Sequence, residues 1–510
     1  MVLTVPLNCC ASCSGLIRFV FMNVSIIGTG YVGLTTGTCL AFLGHKVTCI
    51  DSDEKKIAML QAGQTPIYEP FLTELMAEAN GNLRFTTDYS ESIPDARVIF
   101  IAVGTPPSGN GSPDLRYLSS AARGIGEHFN GDFTVVVNKS TVPIGSGNWV
   151  GSLMRESYEQ KHGRKAGGRF AVASNPEFLR EGTALSDSLY ADRVVVGSDD
   201  ARALEALYSL YRPILDQTFS GPTFLPRPEG LGAVPLISTD LASAELIKYA
   251  ANAFLALKIS FINEVGHLAE KVGADIPQVA KGIGLDARIG TRFLQAGLGW
   301  GGSCFGKDTA ALVATAAEYG LSMPIVAAAR EINFRQRERV IEKLLAELKI
   351  LKGRTIGILG LAFKPNTDDL RDAPAVEIAR KLLQRGCKVK AHDPVAMDRF
   401  RSEHGDLGVI CCESPEQVAA DCDALILATE WPVYRDLAWE EIGGLMRTAI
   451  ALDARNALDR ERLMRSGFRY LTIAGLDGSG DASFRTALVD RDMMEAESTW
   501  TIAATTSHLA

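Results

Sequence analysis

A glycine-rich turn near the start of the chain restricts its first part to an α/β fold. The run NVSIIG predicts a buried strand that ends at Gly28, and the motif GTGYVG leads from it into an Ala- and Leu-containing helix. The next apolar run, HKVTCID, ends in Asp51. Such glycines allow a tight turn and close contact with a pyrophosphate at the helix N-terminus, while the acid accepts from ribose hydroxyls. The pattern predicts a bound dinucleotide, and an acid with no arginine directly after it favours NAD.

A second, incomplete copy of this pattern occurs near residue 355. The segment KGRTIGILGLAFK places Gly357 and Gly360 after a predicted strand, and CKVKAHDP follows with Asp393 at its end. The third glycine of the fingerprint is missing. We expect a second α/β layer here that still offers a phosphate-binding turn, with Lys364 beside it.

Two further strands of the first layer end in small and hydroxyl residues. ARVIFIAVGTP ends near Thr105, and FTVVVNKSTVP contains Ser140 and Thr141. Ligands gather at the carboxyl ends of parallel strands, so these side chains are expected to line the cofactor cleft. Turn and cap chemistry is the alternative interpretation, because Ser and Thr before Pro often serve that purpose.

The segment NPEFLREG carries two acids, Glu177 and Glu181, four residues apart. We expect them to share one helical face, where such a pair either repels on a solvated surface or serves proton transfer. Their place between a strand end and a helix favours proton transfer.

The segment GWGGSCFGKD, Gly299 to Asp308, predicts a nucleophilic cysteine at Cys304. Lys307 favours a thiolate, as does a helix N-terminus if the chain is helical from Phe305 onward. Asp308 would then share a face with Cys304 and could handle a proton or orient a water. The alternative is a small apolar residue in a tight loop.

A long helical pattern runs from about Ser238 to Val272 and carries Lys248 and Asn252 on one side. A cation and an amide are the donors expected where an oxyanion develops. A solvated lysine and an indifferent asparagine are the alternative. The helix is largely apolar, as expected for a central element buried by domains or by a second subunit.

Composition excludes several classes of function. The length of 510 residues predicts about three domains. Charged residues make up 22 % and the net charge is −8, which argues against nucleic acid or anionic lipid as a partner. The cysteine spacings predict neither a metal site nor a disulfide framework, so a reducing compartment, the cytoplasm, is expected. The sequence contains no run of 18 or more apolar residues, so no membrane-spanning helix is predicted.

The motifs GTGYVGL, VGTP, STVPIG, NPEFLREG, GGSCFGKD, GLAFKPNTDDLRDAP and DARN together resemble the nucleotide-sugar dehydrogenase family, from Met22 to about Ile473. The resemblance implies two Rossmann-like domains, N-terminal for NAD and C-terminal for UDP, joined by a long central helix that forms a homodimer or higher oligomer. The expected segments are an extension at 1–21, an NAD-binding domain at 22–236, a central helical dimerisation domain at 237–347, a UDP-sugar-binding domain at 348–475 and a mobile tail at 476–510.

The chemistry implied by the resemblance is a four-electron oxidation without a metal. UDP-glucose would lose hydride twice from C6 to NAD⁺ and become UDP-glucuronate. Cys304 would capture the intermediate aldehyde as a thiohemiacetal, whose oxidation gives a thioester that water hydrolyses. A covalent intermediate would keep the aldehyde in the site.

The resemblance also implies roles for individual residues. The catalytic set is Cys304, Lys248, Asn252, Asp308, Thr141 and Glu181. The cofactor set is Gly28, Gly30, Tyr31, Val32, Gly33, Asp51, Lys56, Thr105, Thr141, Glu181, Lys307 and Arg371. The substrate set is Glu177, Phe178, Leu179, Lys248, Asn252, Arg288, Phe293, Gly301, Phe363, Lys364 and Arg455, with Arg288 reaching the site from the dimer partner.

Three alternatives remain open on the sequence. One is oxidation of another sugar nucleotide, GDP-mannose or a UDP-N-acetylhexosamine. A second is a two-electron hydroxy-acid dehydrogenase, which also uses a lysine and an asparagine four apart but needs neither Cys304 nor a second nucleotide fold. A third is a sensor of nucleotide sugars without catalytic activity.

Overall fold

Eight short runs in the first part of the chain form one sheet. The computed structural model describes residues 21–79, 81–106, 108, 113–475 and 477. The chain divides into two units, residues 1–248 and 249–510. The predicted extension and tail lie outside the described residues except for Phe21 and Asp477.

The sheet of the first unit has the strand order β3-β2-β1-β4-β5-β6-β7-β8 and is parallel except between β6 and β7. A parallel sheet with crossover helices is the arrangement that alternating strand and helix patterns predict. Its strands are β1 Asn23–Ile27, β2 Lys46–Ile50, β3 Leu83–Thr86, β4 Val98–Ile101, β5 Thr134–Asn138, β6 Phe170–Ser174, β7 Val194–Gly197 and β8 Leu236–Thr239.

Helices cover both faces of this sheet. Successive strand residues point to opposite faces, so Ile26 packs in one buried cluster and Ile27 in the other. Because helices cover both faces, side chains on both sides of each strand are buried, and the strands therefore appear in the sequence as continuous apolar runs. The helices are α1 Tyr31–Phe42, α2 Glu54–Gln61, α3 Leu72–Glu78, α4 Arg116–His128, α5 Ser146–His162, α6 Ala184–Leu189 and α7 Ala201–Leu215.

A helix of 32 residues, α8 Leu241–Val272, follows the first sheet and crosses the boundary between the two units. The helical pattern was expected from about Ser238, but Ser238 and Thr239 end strand β8, which pairs with β7. No helix within the described residues is long and apolar enough to cross a membrane.

The second unit contains a six-stranded parallel sheet with the order β11-β10-β9-β12-β13-β14. Its strands are β9 Thr355–Leu359, β10 Lys388–His392, β11 Ile410–Cys411, β12 Ala424–Leu427, β13 Ile450–Asp453 and β14 Arg469–Thr472. Two Rossmann-like α/β layers, with helices between them along the chain, confirm the predicted fold class.

Three helices of the second unit precede its first strand in the sequence, and the others come between the strands. They are α9 Ile276–Gly284, α10 Phe305–Glu318, α11 Pro324–Leu348, α12 Pro374–Gln384, α13 Met397–His404, α14 Pro415–Ala419, α15 Pro432–Arg435, α16 Trp439–Leu445 and α17 Arg460–Arg465.

The second glycine turn was expected to offer its backbone N–H groups to a phosphate, but two of them are bound within the protein. The backbone N–H groups of Leu361 and Ala362 both donate to the Asp393 carboxylate, at 2.7 and 3.0 Å. The next helix, α12, begins only at Pro374. An internal acid therefore occupies the donors of this turn, and no helix N-terminus follows it directly.

Candidate active site

The first glycine turn leaves open space beside Gly30 and none beside Gly33. Gly28 has φ +101°, a conformation that favours glycine. A Cβ on Gly33 would overlap the carbonyl oxygen of Gly28, whereas a Cβ on Gly30 would have no neighbour within 4 Å. Gly33 is thus required for packing, and Gly30 borders open space. No side chain caps α1 at Gly30, so its N-terminus is suited to a pyrophosphate.

Asp51 is held at this turn by its neighbours. Its Oδ2 accepts from Thr29 N at 2.8 Å and from Thr29 Oγ1 at 2.7 Å, and its Oδ1 accepts from Asp53 N at 3.0 Å. Burial raises the pKa of the Asp51 carboxyl, but these hydrogen bonds and the Lys56 ammonium outweigh burial and hold the pKa below its usual value. The carboxylate is therefore ionised and oriented, as a ribose acceptor must be. Sequence reasoning missed Thr29.

The ends of β4 and β5 are joined by the hydroxyl residues that were expected to line the cleft. Thr105 Oγ1 donates to the carbonyl oxygen of Thr141 at 2.9 Å, and Ser140 Oγ donates to that of Val103 at 2.7 Å. These contacts place Thr105 and Thr141 together at the carboxyl edge of the sheet.

A buried acid that the sequence did not single out links the glycine turn to the segment after Glu181. Glu69 accepts from Gly182 N and Ala184 N, each at 2.6 Å, and from the Tyr31 hydroxyl. The Tyr31 hydroxyl also accepts from Gly182 N at 2.7 Å. Tyr31 and the turn that carries Glu181 are thereby brought together.

Lys248 is buried and paired, unlike the solvated lysine of the alternative interpretation. Its Nζ lies 2.7 Å from Glu177 Oε1 and donates to the Glu177 carbonyl oxygen at 2.7 Å. Lys248 is 4 % exposed and Glu177 is 7 % exposed. The Phe178 ring centroid lies 5.5 Å from the same Nζ, and Leu179 N donates to Glu177 Oε2 at 2.9 Å. Lys248, Glu177, Phe178 and Leu179 thus form one cluster in the first unit.

The expectation that Glu177 and Glu181 share a helical face is wrong. Residues 175–180 are not helical. Backbone N–H groups of this segment donate to side-chain carboxylates instead, including that of Arg180 to Asp187 Oδ2 at 2.8 Å. Side-chain acceptors therefore replace the carbonyl acceptors of a helix.

In the second unit, Cys304 lies at the N-terminus of α10, which meets the condition that the chain be helical from Phe305 onward. It is the N-cap residue of this helix, and its carbonyl oxygen accepts from Asp308 N at 2.8 Å. Ser303 Oγ lies 3.6 Å from Cys304 Sγ. Of the seven cysteines that the structure describes, Cys304 alone is exposed.

Asp308 is fully buried in the first turn of the same helix. Lys307 Nζ lies 2.6 Å from its Oδ1, and Asn252 Nδ2 donates to its Oδ2 at 2.6 Å. The structure therefore brings Asn252, Lys307 and Asp308 together in one buried polar cluster.

The glycines before Cys304 pack against the segment that follows β9. A Cβ on Gly301 would overlap the carbonyl oxygen of Asp372, and one on Gly302 would lie 2.9 Å from the Phe363 ring. Gly302 N donates to the carbonyl oxygen of Arg371 at 3.0 Å. Gly301, Phe363 and Arg371 are thus brought together, although the Arg371 guanidinium itself is paired with Asp369 at 2.7 Å.

Helix α11 supplies further support that sequence reasoning missed. Asn333 Oδ1 accepts from Trp300 N at 2.7 Å, and the Arg330 guanidinium donates to the Gly306 carbonyl oxygen at 2.6 Å. These contacts fix both sides of the cysteine loop, and no local spacing in the sequence signals them.

Four further residues of the predicted substrate set each have their own contacts in the second unit. Arg455 donates to the carbonyl oxygens of Ala428 at 2.7 Å and Phe363 at 3.1 Å, and Lys364 Nζ lies 5.4 Å from the Phe363 ring centroid. The Phe293 ring centroid lies 6.3 Å from that of Phe305. Arg288 has a side chain that is 90 % exposed and pairs with Asp286 at 2.6 Å.

No group of three or more His, Cys, Asp or Glu side chains suited to a metal occurs in the part of the chain that the structure describes. The polar clusters of the site consist instead of ion pairs and amide or hydroxyl donors.

Three models of one family match successive segments of the chain. The NAD binding domain of the UDP-glucose/GDP-mannose dehydrogenase family matches residues 22–215, its central domain matches residues 242–335, and its UDP binding domain matches residues 357–460. The NAD-binding model confirms the predicted cofactor, which the Gly28–Gly33 turn and Asp51 fit.

Similar proteins match nearly the whole chain. A UDP-glucose 6-dehydrogenase from Bacillus subtilis is 43 % identical over 453 residues, which is 88 % of this chain and 93 % of the relative. One from Rhizobium meliloti is 43 % identical over 89 % of this chain and 100 % of the relative. The solved UDP-glucose dehydrogenase of Pyrobaculum islandicum has a TM-score of 0.81 at 39 % identity and covers 90 % of this chain and 100 % of that chain.

Proposed function

Because the chain belongs to the UDP-glucose/GDP-mannose dehydrogenase family, we propose that it oxidises UDP-glucose at C6 to UDP-glucuronate in two NAD⁺-dependent steps. The relatives at 43 % identity are named UDP-glucose 6-dehydrogenases, which supports the substrate and the C6 position. The observation that carries the covalent part of the proposal is the exposed Cys304 at a helix N-terminus, four residues before the buried Asp308.

The first unit holds the cofactor in this proposal. The Gly28–Gly33 turn receives the pyrophosphate and Asp51 receives the ribose hydroxyls. When bound, NAD⁺ supplies the hydride acceptor for each of the two oxidations. The open space beside Gly30 and the oriented Asp51 carboxylate support this assignment.

Cys304 acts after the first oxidation. Its Sγ adds to the aldehyde carbon, and the carbonyl oxygen takes a proton to give a thiohemiacetal. This adduct retains a C–H bond, so loss of a second hydride from carbon and of the proton from the hydroxyl group gives a thioester. Water then attacks the thioester carbon, which releases the carboxylate and returns the thiol.

Lys248 and Asn252 stabilise negative charge on the substrate oxygen. Both are buried donors on α8, and each already contacts an acid, Glu177 and Asp308 respectively. Buried, oriented donors stabilise an oxyanion more strongly than solvated ones. Asp308 assists the water or the base, and Thr141 with Glu181 positions water and cofactor.

Substrate contacts complete the assignment. We assign them to Glu177, Phe178 and Leu179 in the first unit, and to Phe293, Gly301, Phe363, Lys364 and Arg455 in the second. Lys307 and Arg371 are assigned to the NAD phosphates. The proposed segments are an NAD-binding domain at 22–236, a central domain at 237–347 and a UDP-sugar domain at 348–475. Three family models that match in the same order support this division.

The chain forms a homodimer through α8 in this proposal. Phe254, Phe261, Leu268 and Val272 are 62 %, 48 %, 62 % and 62 % exposed. Their spacing places them along one side of the helix, and an exposed apolar stripe of this kind is typical of a subunit interface. Arg288, exposed on the chain, reaches the partner's site. Seven free cysteines among the described residues support a reducing location, the cytoplasm.

A substrate panel tests the proposal. Purified protein is incubated with NAD⁺ and one of UDP-glucose, GDP-mannose or UDP-N-acetylglucosamine, and products are identified by mass spectrometry. UDP-glucose should give NADH and UDP-glucuronate. NADH formation with GDP-mannose alone, or an acid product from none of the three, would overturn it.

A further inference from the structure

Trp300, four residues before Cys304, lies outside the helices and strands that the structure describes. The side-chain amide of Asn333 on α11 binds its backbone at both ends. Asn333 Oδ1 accepts from Trp300 N at 2.7 Å, and Asn333 Nδ2 donates to the Trp300 carbonyl oxygen at 2.9 Å. An amide side chain offers both an acceptor and a donor, so it satisfies the two backbone groups that a neighbouring strand would otherwise satisfy.

This contact is buried and close. Asn333 has no exposed surface, and Trp300 is 4 % exposed. A Cβ on Gly299, which has φ +83°, would lie 2.2 Å from Asn333 Oδ1. The backbone of the loop therefore runs directly against the Asn333 amide. Removing the amide would leave two buried backbone groups without these partners, which favours a different conformation of the loop.

The Trp300 side chain connects this contact to the start of α10. Its Nε1 donates to Ser260 Oγ at 3.2 Å, and its ring centroid lies 6.2 Å from that of Phe305 in an edge-on arrangement. Phe305 directly follows Cys304 and is the first residue of α10. A shift of Trp300 would therefore change the packing beside Cys304.

The same helix holds the other end of the loop. Arg330, three residues before Asn333 on α11, donates to the Gly306 carbonyl oxygen at 2.6 Å and to Thr309 Oγ1 at 2.7 Å. Residues three apart share one face of a helix. The segment 301–305, which contains Cys304, thus lies between two points that one face of α11 fixes.

We propose that Asn333 is a positioning residue for the second oxidation, because it holds the loop that presents Cys304 to the aldehyde. The inference rests on the proposed function, in which Cys304 Sγ adds to the aldehyde that the first oxidation forms. Asn333 contacts neither substrate nor cofactor in this account. It acts on the competition between capture of the aldehyde by Cys304 and escape of the aldehyde from the site.

The two oxidations should depend differently on Asn333. The first removes hydride from C6 and does not use Sγ, whereas the second requires that Sγ has already added to the aldehyde carbon. Misplacing a reacting atom by about 1 Å can cost about 100-fold in rate. A loosened loop should therefore slow the second oxidation selectively. A general loss of stability would lower both oxidations equally, because an unfolded molecule performs neither.

Single-turnover kinetics test this difference. Enzyme in excess over UDP-glucose is mixed with saturating NAD⁺, and the two phases of NADH formation are recorded. After an acid quench, mass spectrometry measures UDP-glucuronate and the aldehyde, which is converted to its oxime. Asn333→Ala should slow the second phase about 10- to 100-fold, change the first less than about twofold and accumulate aldehyde. Asn333→Asp keeps the acceptor for Trp300 N but loses the donor, so its second phase should be intermediate.

Glu342→Ala, at an exposed position on the same helix, is the matched control and should keep both wild-type phases. A wild-type second phase in Asn333→Ala, or an equal loss in both phases, would overturn the inference. If Asn333→Ala does not fold, the two phases of Asn333→Asp decide by the same criteria.

Hydrogen–deuterium exchange separates this inference from the proposed function, because it needs no substrate. Peptides covering residues 298–302 should lose protection about tenfold in Asn333→Ala or Asn333→Asp, while those covering strand β9, Thr355–Leu359, should not change. Unchanged protection of residues 298–302 would overturn the inference. A wild type that forms no NADH from UDP-glucose refutes the proposed function instead, and the exchange result then decides the contact between Asn333 and Trp300 alone.

Discussion

Asn252 donates its side-chain amide to the Asp308 carboxylate at 2.6 Å. Asp308 has no exposed surface, and its other oxygen lies 2.6 Å from Lys307 Nζ. A buried charge requires such partners, because an unpaired carboxylate in the interior is costly. The first turn of α10, which follows Cys304, is therefore fixed to α8 by a charge that both stability and the proposed chemistry depend on.

Asp308→Asn should lower both stability and turnover. The substitution keeps the size of the side chain but removes the charge that pairs with Lys307, and breaking a buried pair typically costs about 3 to 5 kcal/mol. Urea unfolding measures the free energy of unfolding, and NADH formation measures turnover. Asp398→Asn, in the exposed pair with Arg401, is the control and should change neither. Equal stability of Asp308→Asn and wild type would show that the buried charge pair between Asp308 and Lys307 does not stabilise the fold.

Gly33→Ala should lower the stability of the fold, whereas Gly30→Ala should weaken the binding of NAD. A methyl group on Gly33 would overlap the Gly28 carbonyl oxygen, so Gly33→Ala should lower the melting temperature. A methyl group on Gly30 meets no atom within 4 Å, so this variant should fold normally and bind NAD more weakly, because the methyl group occupies the space left for the pyrophosphate. Calorimetric melting and NAD titration distinguish the two. Normal NAD affinity in Gly30→Ala would contradict the proposed cofactor turn.

Lys139→Met should remove a specific pH dependence of stability. Burial lowers the pKa of the Lys139 ammonium from 10.5 to about 8, with Lys248 acting in the same direction and Glu177 opposing it. Between these two pH values the unfolded chain binds more protons than the folded one, so the free energy of unfolding of the wild type should rise with pH, by up to about 3 kcal/mol.

The methionine variant should lack this rise, because it has no proton to lose. Urea unfolding of both proteins between pH 8 and pH 10.5 measures the difference. Lys165→Met, at an exposed position, is the control and should keep the wild-type slope. Parallel curves for wild type and Lys139→Met would show that Lys139 remains charged when buried.

Cys304→Ala should abolish formation of the carboxylate. Without Sγ the aldehyde is not captured, so any turnover should stop after the first hydride and leave at most aldehyde. Mass spectrometry of the products with UDP-glucose and NAD⁺ measures this. Cys411→Ala, at a half-buried position on β11 of the second sheet, is the control and should form UDP-glucuronate at the wild-type rate. UDP-glucuronate from Cys304→Ala would remove the thiol from the mechanism.

Much of the fold was predictable because its signals are local. The glycines from Gly28 to Gly33, the apolar strands and Asp51 all lie within one short stretch, and their spacing predicts strand, turn and helix in order. A helix from Phe305 onward was only a condition for favouring a thiolate at Cys304, and α10 meets it. The second turn was less predictable, because the sequence does not reveal that Asp393 accepts from Leu361 and Ala362.

The supporting residues were missed because their partners lie far away in the chain. Glu69 binds Gly182 and Ala184, Glu245 binds the start of α5, and Arg330 binds the start of α10. No spacing rule relates such pairs. The helical interpretation of Glu177 and Glu181 was wrong for a different reason, since N–H groups of their segment donate to the nearby carboxylates of Glu177 and Asp187 rather than to backbone carbonyl oxygens.

The number of NADH molecules formed per molecule of UDP-glucose tests the central claim most directly. With limiting UDP-glucose, excess NAD⁺ and wild-type protein, the absorbance of NADH at completion gives this ratio. Capture of the aldehyde on Cys304 and its second oxidation predict two NADH, together with one UDP-glucuronate. A ratio of one, with an aldehyde as the final product, would contradict the covalent four-electron mechanism.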